Sequence, residues 1–239
     1  MATQQYIERV DSSVDGRRFY EGVNYVETSP GESERKRLWC YPSCTTKIDA
    51  VYPKDAYLIK WIREQGIGGQ AIFEKAGEDG TEAHVAIDNL IAGEQVPTEL
   101  MGDKAKKCVA AFLAWNEKYK PQFLSSEEML VNHDLRFAGT RDLKCIINGE
   151  TYTVDYKTSS TIQDKHKVQV AGYWACDKTD KAALLHLGNR TKQGYSFLEF
   201  DAPKYFEQFK HFNDTFEMMY PNAEPKIVEY PEFFTLNNL

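Results

Sequence analysis

The chain has 239 residues, enough for one sizeable domain or for one core with a smaller appendage. Its hydrophobic and charged fractions, 42% and 27%, are those of an ordinary globular protein. A net charge of −7 excludes a surface that is basic all over, so a nucleic-acid partner would need local basic patches. Candidates are Arg35-Lys36-Arg37, Lys104 with Lys106-Lys107, Lys165 with Lys167, and Arg190 with Lys192. Each also reads as ordinary solvated surface.

Five cysteines contain no Cys-x-x-Cys pair, which argues against a disulfide framework or a zinc site and fits a reducing compartment. No apolar signal region opens the sequence and no run suits a membrane span, so a soluble, cytoplasmic protein is expected.

In chain order, residues 17–33 combine aromatic alternation around Glu21-Gly22 with a Ser-Pro-Gly-Glu-Ser loop, which reads as a short hairpin or two strands. Ser43 is a candidate N-cap for helical sequence that runs to Gly66. The next helix carries Ala83, His84, Ile87, Asp88 and Ile91 on one stripe and closes at Gly93. Lys104 to Lys118 predicts another, with Val109, Phe112, Leu113 and Trp115 inward. Glu127 and Glu128 begin a strand leading into Gly139. A helix over Lys165 to Cys176, strands at "AALLHLGN" and "GYSFLEF", and a closing helix from Ala202 to Tyr220 complete an α/β sandwich.

The stretch "RFAGTRDLKCIINGETYTVDYKTSS" carries the chemistry. Asn148-Gly149 is a strong hairpin signal. Counting outward pairs Ile147 with Glu150 and ends with Asp142 opposite Asp155. Lys157 shares the face of these acids, whereas Leu143, Cys145, Ile147, Tyr152, Val154 and Tyr156 form an apolar face. Opposed like charges destabilise a sheet. A divalent cation would compensate them; so would Lys157 and Lys144 on a solvated hairpin.

With "YPSCTTKIDAVYPKDAYLIKW", "GTEAH", "AGTRD", "DYK" and "QVAGY" in this order, the chain resembles the RecB-like branch of the PD-(D/E)XK nucleases, close to phage and mitochondrial genome maintenance exonucleases, over about residues 41–200. The resemblance implies a restriction-endonuclease-like core, a central mixed β-sheet flanked by helices, spanning 41–239 behind a β-rich extension at 1–40. It implies one or two Mg²⁺ or Mn²⁺ ions held by His84, Asp142, Asp155 and the carbonyl of Tyr156. Lys157 would act on the attacking water and the phosphate, Glu127 (in preference to Glu128) would complete the motif, and Gln169 and Tyr173 would brace the site. Gln169, Tyr173, Lys165, Lys167 and Arg190 are candidate DNA contacts. Only Cys176 follows Tyr173, so the iron-sulfur cluster of some relatives is not expected.

The expected function is a metal-dependent exonuclease acting on DNA ends and preferring single strands, in a replication or recombination setting. A structure-specific endonuclease and a non-catalytic DNA-binding or inhibitor protein on the same fold are the alternatives. The aromatics Phe19, Tyr20, Tyr25, Trp39 and Tyr41 either wall a strand channel or pack a small satellite core.

Overall fold

The Asn-Gly turn forms where its chemistry predicts. Asn148 (φ 52°) and Gly149 (φ 86°) are both left-handed, as a two-residue primed turn requires. Strands β5 (Phe137–Ile147) and β6 (Glu150–Lys157) pair in the expected register, from Ile147↔Glu150 to Leu143↔Val154. This hairpin is the middle of a computed structural model that describes residues 5–29, 31–53 and 56–229, with the backbone alone for 56–58, 62, 67–74 and 76.

Strand β4 (Gln122–Asn132) runs antiparallel to β5, β7 (Lys181–Leu187) parallel to β6, and β8 (Tyr195–Phe200) antiparallel to β7. The result is a mixed five-stranded sheet in the order β4-β5-β6-β7-β8. Helix α5 (Asp164–Cys176) makes the crossover that parallel pairing of β6 and β7 demands.

One face of the sheet is covered by α3 (Ile67–Ile91) and α4 (Asp103–Tyr119), which bury Ile87, Phe112 and Trp115 against Leu143, Cys145, Val154 and Tyr156. The other face is covered by α1 (Cys44–Val51), α5 and α6 (Ala202–Met219), whose Ile48, Val168 and Phe209 pack on Phe137. The architecture is therefore α/β, a mixed sheet flanked by helices. No helix among the described residues is long and apolar enough to cross a membrane.

A second sheet, β1 (Gln5–Asp11), β2 (Arg18–Ser29) and β3 (Glu32–Pro42), precedes this unit. Tyr20 Oη lies 2.9 Å from Thr140 Oγ1 of β5, and Ser43 bridges to Ala138. The chain after α6 returns to it, with Ser13 N–H donating to the Lys226 carbonyl.

Several expectations need correction. The expected hairpin forms as β2 and β3, but the extension also has β1, which the sequence does not mark because it lacks the aromatic alternation of β2, and its last strand ends at Pro42. The helical run from Ser43 is two helices, since Pro53 forces Tyr52 into an extended conformation (ψ 128°). Helix α2 (Ala56–Gln65) starts the chain again, and Gly66 (φ 58°) separates it from α3. Pro30, Lys54 and Asp55 fall outside the described residues. Leu113 is 47% exposed, because the buried stripe of α4 runs through Cys108, Phe112 and Trp115. The strand expected to lead from Glu127 into Gly139 is a hairpin. Asn132 Oδ1 accepts the Leu135 N–H at 2.9 Å and Arg136 turns left-handed (φ 50°), so the chain reverses between β4 and β5.

Ser43 caps α1 by accepting the Thr46 N–H. One turn in, Lys47 is completely buried and donates to the Leu135 carbonyl (3.0 Å), Asn213 Oδ1 (2.6 Å) and Glu217 Oε1 (2.6 Å), so one ammonium ties α1, the β4–β5 turn and α6. Burial lowers its pKa, with Glu217 opposing. Lys47→Met leaves these acceptors without a donor and should cost about 3 kcal/mol. A lower urea midpoint with an unchanged slope is the expected result.

Candidate functional site

The register places three carboxylates in one row across three strands. Ser126↔Leu143 and Glu128↔Arg141 set Glu127 opposite Asp142, and Leu143↔Val154, carried one step further, sets Asp142 opposite Asp155. Neither acid pair is joined in the ladder; instead the Tyr156 N–H donates to Asp142 Oδ2 at 2.6 Å.

The same row is where β4 and β5 change face. Phe137 and Gly139 lie against α5 and α6, and Arg141 bonds Asp177 at the end of α5. Leu143, Cys145 and Ile147, of the same parity, lie against α3 and α4. On β4, Ser126 contacts Asp88 of α3 while Glu128 bonds Arg141. Glu127 takes up the switch with a φ of 46°, a left-handed conformation that is costly for a non-glycine residue in a strand.

Helix α3 completes the group. Gly80, which has no Cβ to strike Thr158 Oγ1, lets the helix approach the segment after β6. His84, one turn on, has Nδ1 3.6 Å from Asp142 Oδ2 and 4.0 Å from Glu127 Oε1. One ligand atom from each of His84, Glu127 and Asp142 falls within a 4.8 Å span. The imidazole packs edge-on against the buried Tyr156 ring at 5.5 Å.

This cluster differs from the expected ligand set, because Glu127 closes it and Asp155 stands beside it. Asp155, 2% exposed, has Oδ2 2.5 Å from Lys157 Nζ as an ion pair, with no aligned hydrogen-bond donor on that oxygen. Lys157 Nζ also donates to Gln169 Oε1 (3.1 Å), and Gln169 Nε2 donates to Tyr173 Oη (2.9 Å). The ring of Tyr173 in turn crowds against Gly139, where a Cβ would come within 2.4 Å of it.

The charges are unbalanced. Burial, then Asp142, pushes Glu127 up to about 7. Burial, then Asp155, raises Asp142 well above the carboxylate range, against Lys157 and the Tyr156 N–H. Burial lowers His84, leaving a neutral imidazole with a free lone pair. Burial also acts to lower Lys157, but Asp155 and Asp142 outweigh it and the net shift is upward.

Beside these groups opens a cavity of about 280 Å³ whose lining includes Thr45, His84, Lys157, Ser159, Lys165 and Gln169. Lys165 reaches it while paired with Asp49 at 3.0 Å. Three expected DNA contacts do not gather there. Tyr173 is only 4% exposed, covered by Gly139 and α1, so it can brace but not touch a strand. Lys167 is drawn to Asp164 and Tyr205. Arg190 is exposed in the β7–β8 turn. Glu128 is likewise diverted, to Arg141 at 2.5 Å, which separates it from Glu127.

Two contributors carry no role in the sequence reading, although Asp88 lies on the His84 stripe. Asp88 touches Ser126 next to Glu127, a neighbourhood signalled only by its place four residues after His84. Arg141, fully buried, joins Glu128, Thr153 and Asp177 across two strands and the end of α5. Nothing in "GTRD" marks it as more than a solvated charge.

His166 lines the same cavity and accepts the Gln163 N–H at the start of α5. Burial, then Lys157 and Lys165, lowers its pKa to about 3. A folded value below the ordinary one favours the neutral ring. The stability it contributes is present above the unfolded pKa of about 6.5 and is lost as pH falls toward 3. His166→Gln keeps an acceptor for the cap. Its thermal midpoint should fall less than that of the wild type between about pH 7 and about pH 4.5; parallel losses would sink this assignment.

No protein-family profile and no curated protein matches the chain. Among solved structures, the crystal structure of SSO0001 is similar over 77% of this chain and 86% of its own, at 11% identity and a TM-score of 0.38, too low to bear on fold or function.

Proposed function

We propose that this chain is a divalent-metal-dependent deoxyribonuclease with a RecB-like PD-(D/E)XK core, an exonuclease that hydrolyses phosphodiester bonds from DNA ends and prefers single strands. The observation that carries the reading is the row Glu127–Asp142–Asp155, met by His84 from one side and Lys157 from the other. Each of these belongs to a motif of the resemblance, and they converge from β4, β5, β6 and α3.

The residues fit a hard cation. Like charges directly opposed are destabilising without a counter-ion, and the one ammonium among them is already paired with Asp155. His84, Glu127 and Asp142 would hold the ion, with Asp155 adjoining, a mixed carboxylate and imidazole set that suits Mn²⁺ or Mg²⁺. When bound, such an ion polarises a phosphate and acidifies water.

The chain's own groups account for the rest. Lys157, kept protonated by two carboxylates, presents a positive charge at the cavity wall where the phosphate's charge grows. Gln169 fixes its direction, and Tyr173 fixes Gln169. Lys165 offers a further phosphate contact.

One digestion tests the reading: end-labelled linear and circularised forms of one oligonucleotide with Mg²⁺, with Mn²⁺ and with chelator. Loss of the linear form alone, stopped by chelator, is expected, whereas equal loss of the circle would make the enzyme an endonuclease. Asp142→Asn should remove digestion, keep the fold and weaken Mn²⁺ binding in calorimetry. Lys157→Ala should bind DNA almost normally yet cut it at least about a hundredfold more slowly, as for an interaction made mainly in the transition state.

A further inference from the structure

Of the five candidate N-terminal aromatics, Tyr25 is exposed and donates to Glu8, and the other four separate into two groups. Phe19 and Tyr20 are each 1% exposed and belong to the core under the three-stranded sheet, so they cannot wall a channel. Trp39 and Tyr41 remain half-buried, and their rings stack at 4.8 Å and 19°. Gly22 makes this possible: a Cβ there would come within 2.2 Å of Trp39 Nε1, so only glycine lets the indole lie on the sheet.

His133, from the β4–β5 turn, stands edge-on to both rings, at 86° to Trp39 and 72° to Tyr41. Arg136, at the end of the same turn, holds its guanidinium 5.9 Å from the Tyr41 ring. Arg35 and Arg37 of the same sheet are tied to Glu21, but Arg136 has no acidic partner among the described residues. A stacked pair with an uncommitted cation at its rim is the chemistry of a nucleobase platform: ring faces for bases, a guanidinium for the linking phosphate.

The place is also right. Tyr41 leads through Pro42 and Ser43 to Thr45, a wall of the cavity beside Lys157. Arg136 immediately precedes β5, six residues before Asp142 and so at most about 20 Å from it at the rise of a strand.

We infer that Trp39 and Tyr41, rimmed by His133 and Arg136, form a ledge on which bases of a single DNA strand stack while its phosphate reaches the centre at Asp142. This rests on the nuclease reading for the direction of the strand, but base stacking itself is testable without cleavage. The probes are oligothymidylate and an oligonucleotide of equal length made of abasic sites, titrated by fluorescence anisotropy in chelator.

Wild type should bind oligothymidylate more tightly than the abasic strand. Tyr41→Leu should weaken oligothymidylate binding roughly 5- to 150-fold for a lost stack and leave the abasic strand unaffected, and Tyr41→Phe should restore it. Arg136→Gln should weaken both strands and flatten the salt dependence. Equal affinity of wild type for the two strands overturns the ledge whatever the variants do, as does a Tyr41→Leu protein that binds like wild type. If the ledge stands and Mg²⁺ and Mn²⁺ give no digestion, the nuclease reading fails alone. If digestion stands and the strands bind equally, the ledge fails alone.

Discussion

The change of face in β4 and β5 is the constraint on which the rest of the molecule depends. A strand whose side chains alternate without interruption would send residues 137–147 of one parity to one layer. Here the parity slips at Asp142, so the first half of β5 packs under α5 and α6 and the second half under α3 and α4. The slip opens the ladder and leaves Asp142 to take its hydrogen bond from the Tyr156 N–H. It also brings the two helical layers to one place, so that His84 from one meets Asp142 while Gln169 from the other holds Lys157, the partner of Asp155.

Such a row of acids has to be held from both sides. On one flank Arg141 gathers Glu128, Asp177 and Thr153, and a fully buried guanidinium of this kind tolerates no loss of partners. On the other, Ser126 meets Asp88. Between them Glu127 is kept in a backbone conformation that it would not adopt alone. The support is graded: Gly139 admits the ring of Tyr173, Tyr173 receives Gln169, and Gln169 aims Lys157. A residue three contacts from the ammonium thus acts through shape, and Gly139 needs no polar group to do so.

What could be read in advance follows from range. The β5–β6 register was legible because Asn148 and Gly149 determine a local turn, and period-two alternation carried the pairing outward. The Ser43 cap and the α4 stripe are likewise local, although Leu113 shows that an apolar residue near a stripe need not belong to it. The turn at residues 132–136 was missed because a side-chain bond from Asn132 and a left-handed Arg136 make it, without glycine or proline. The face switch was invisible, since alternation is a property of one strand and the slip arises from packing two helical layers. Burial of Lys47, Arg141 and Tyr173 is decided by partners far away in the chain. No count along the sequence distinguishes them from surface residues.

The Lys47 clamp bears on how the chain folds during synthesis. Its partner Glu217 is 170 residues downstream, a stretch that takes a ribosome roughly 10–30 s to make. Throughout that interval α1 carries an ammonium with no carboxylate to receive it, and the face of β5 beneath α6 stays open. The returning segment that meets Ser13 arrives later still. Closure is therefore a late, non-local event that follows the hairpins, and folding of this kind is slow in proportion to its sequence separation. A nascent chain stalled before α6 exposes Phe137 and its neighbours, and that state is the one a chaperone would have to protect.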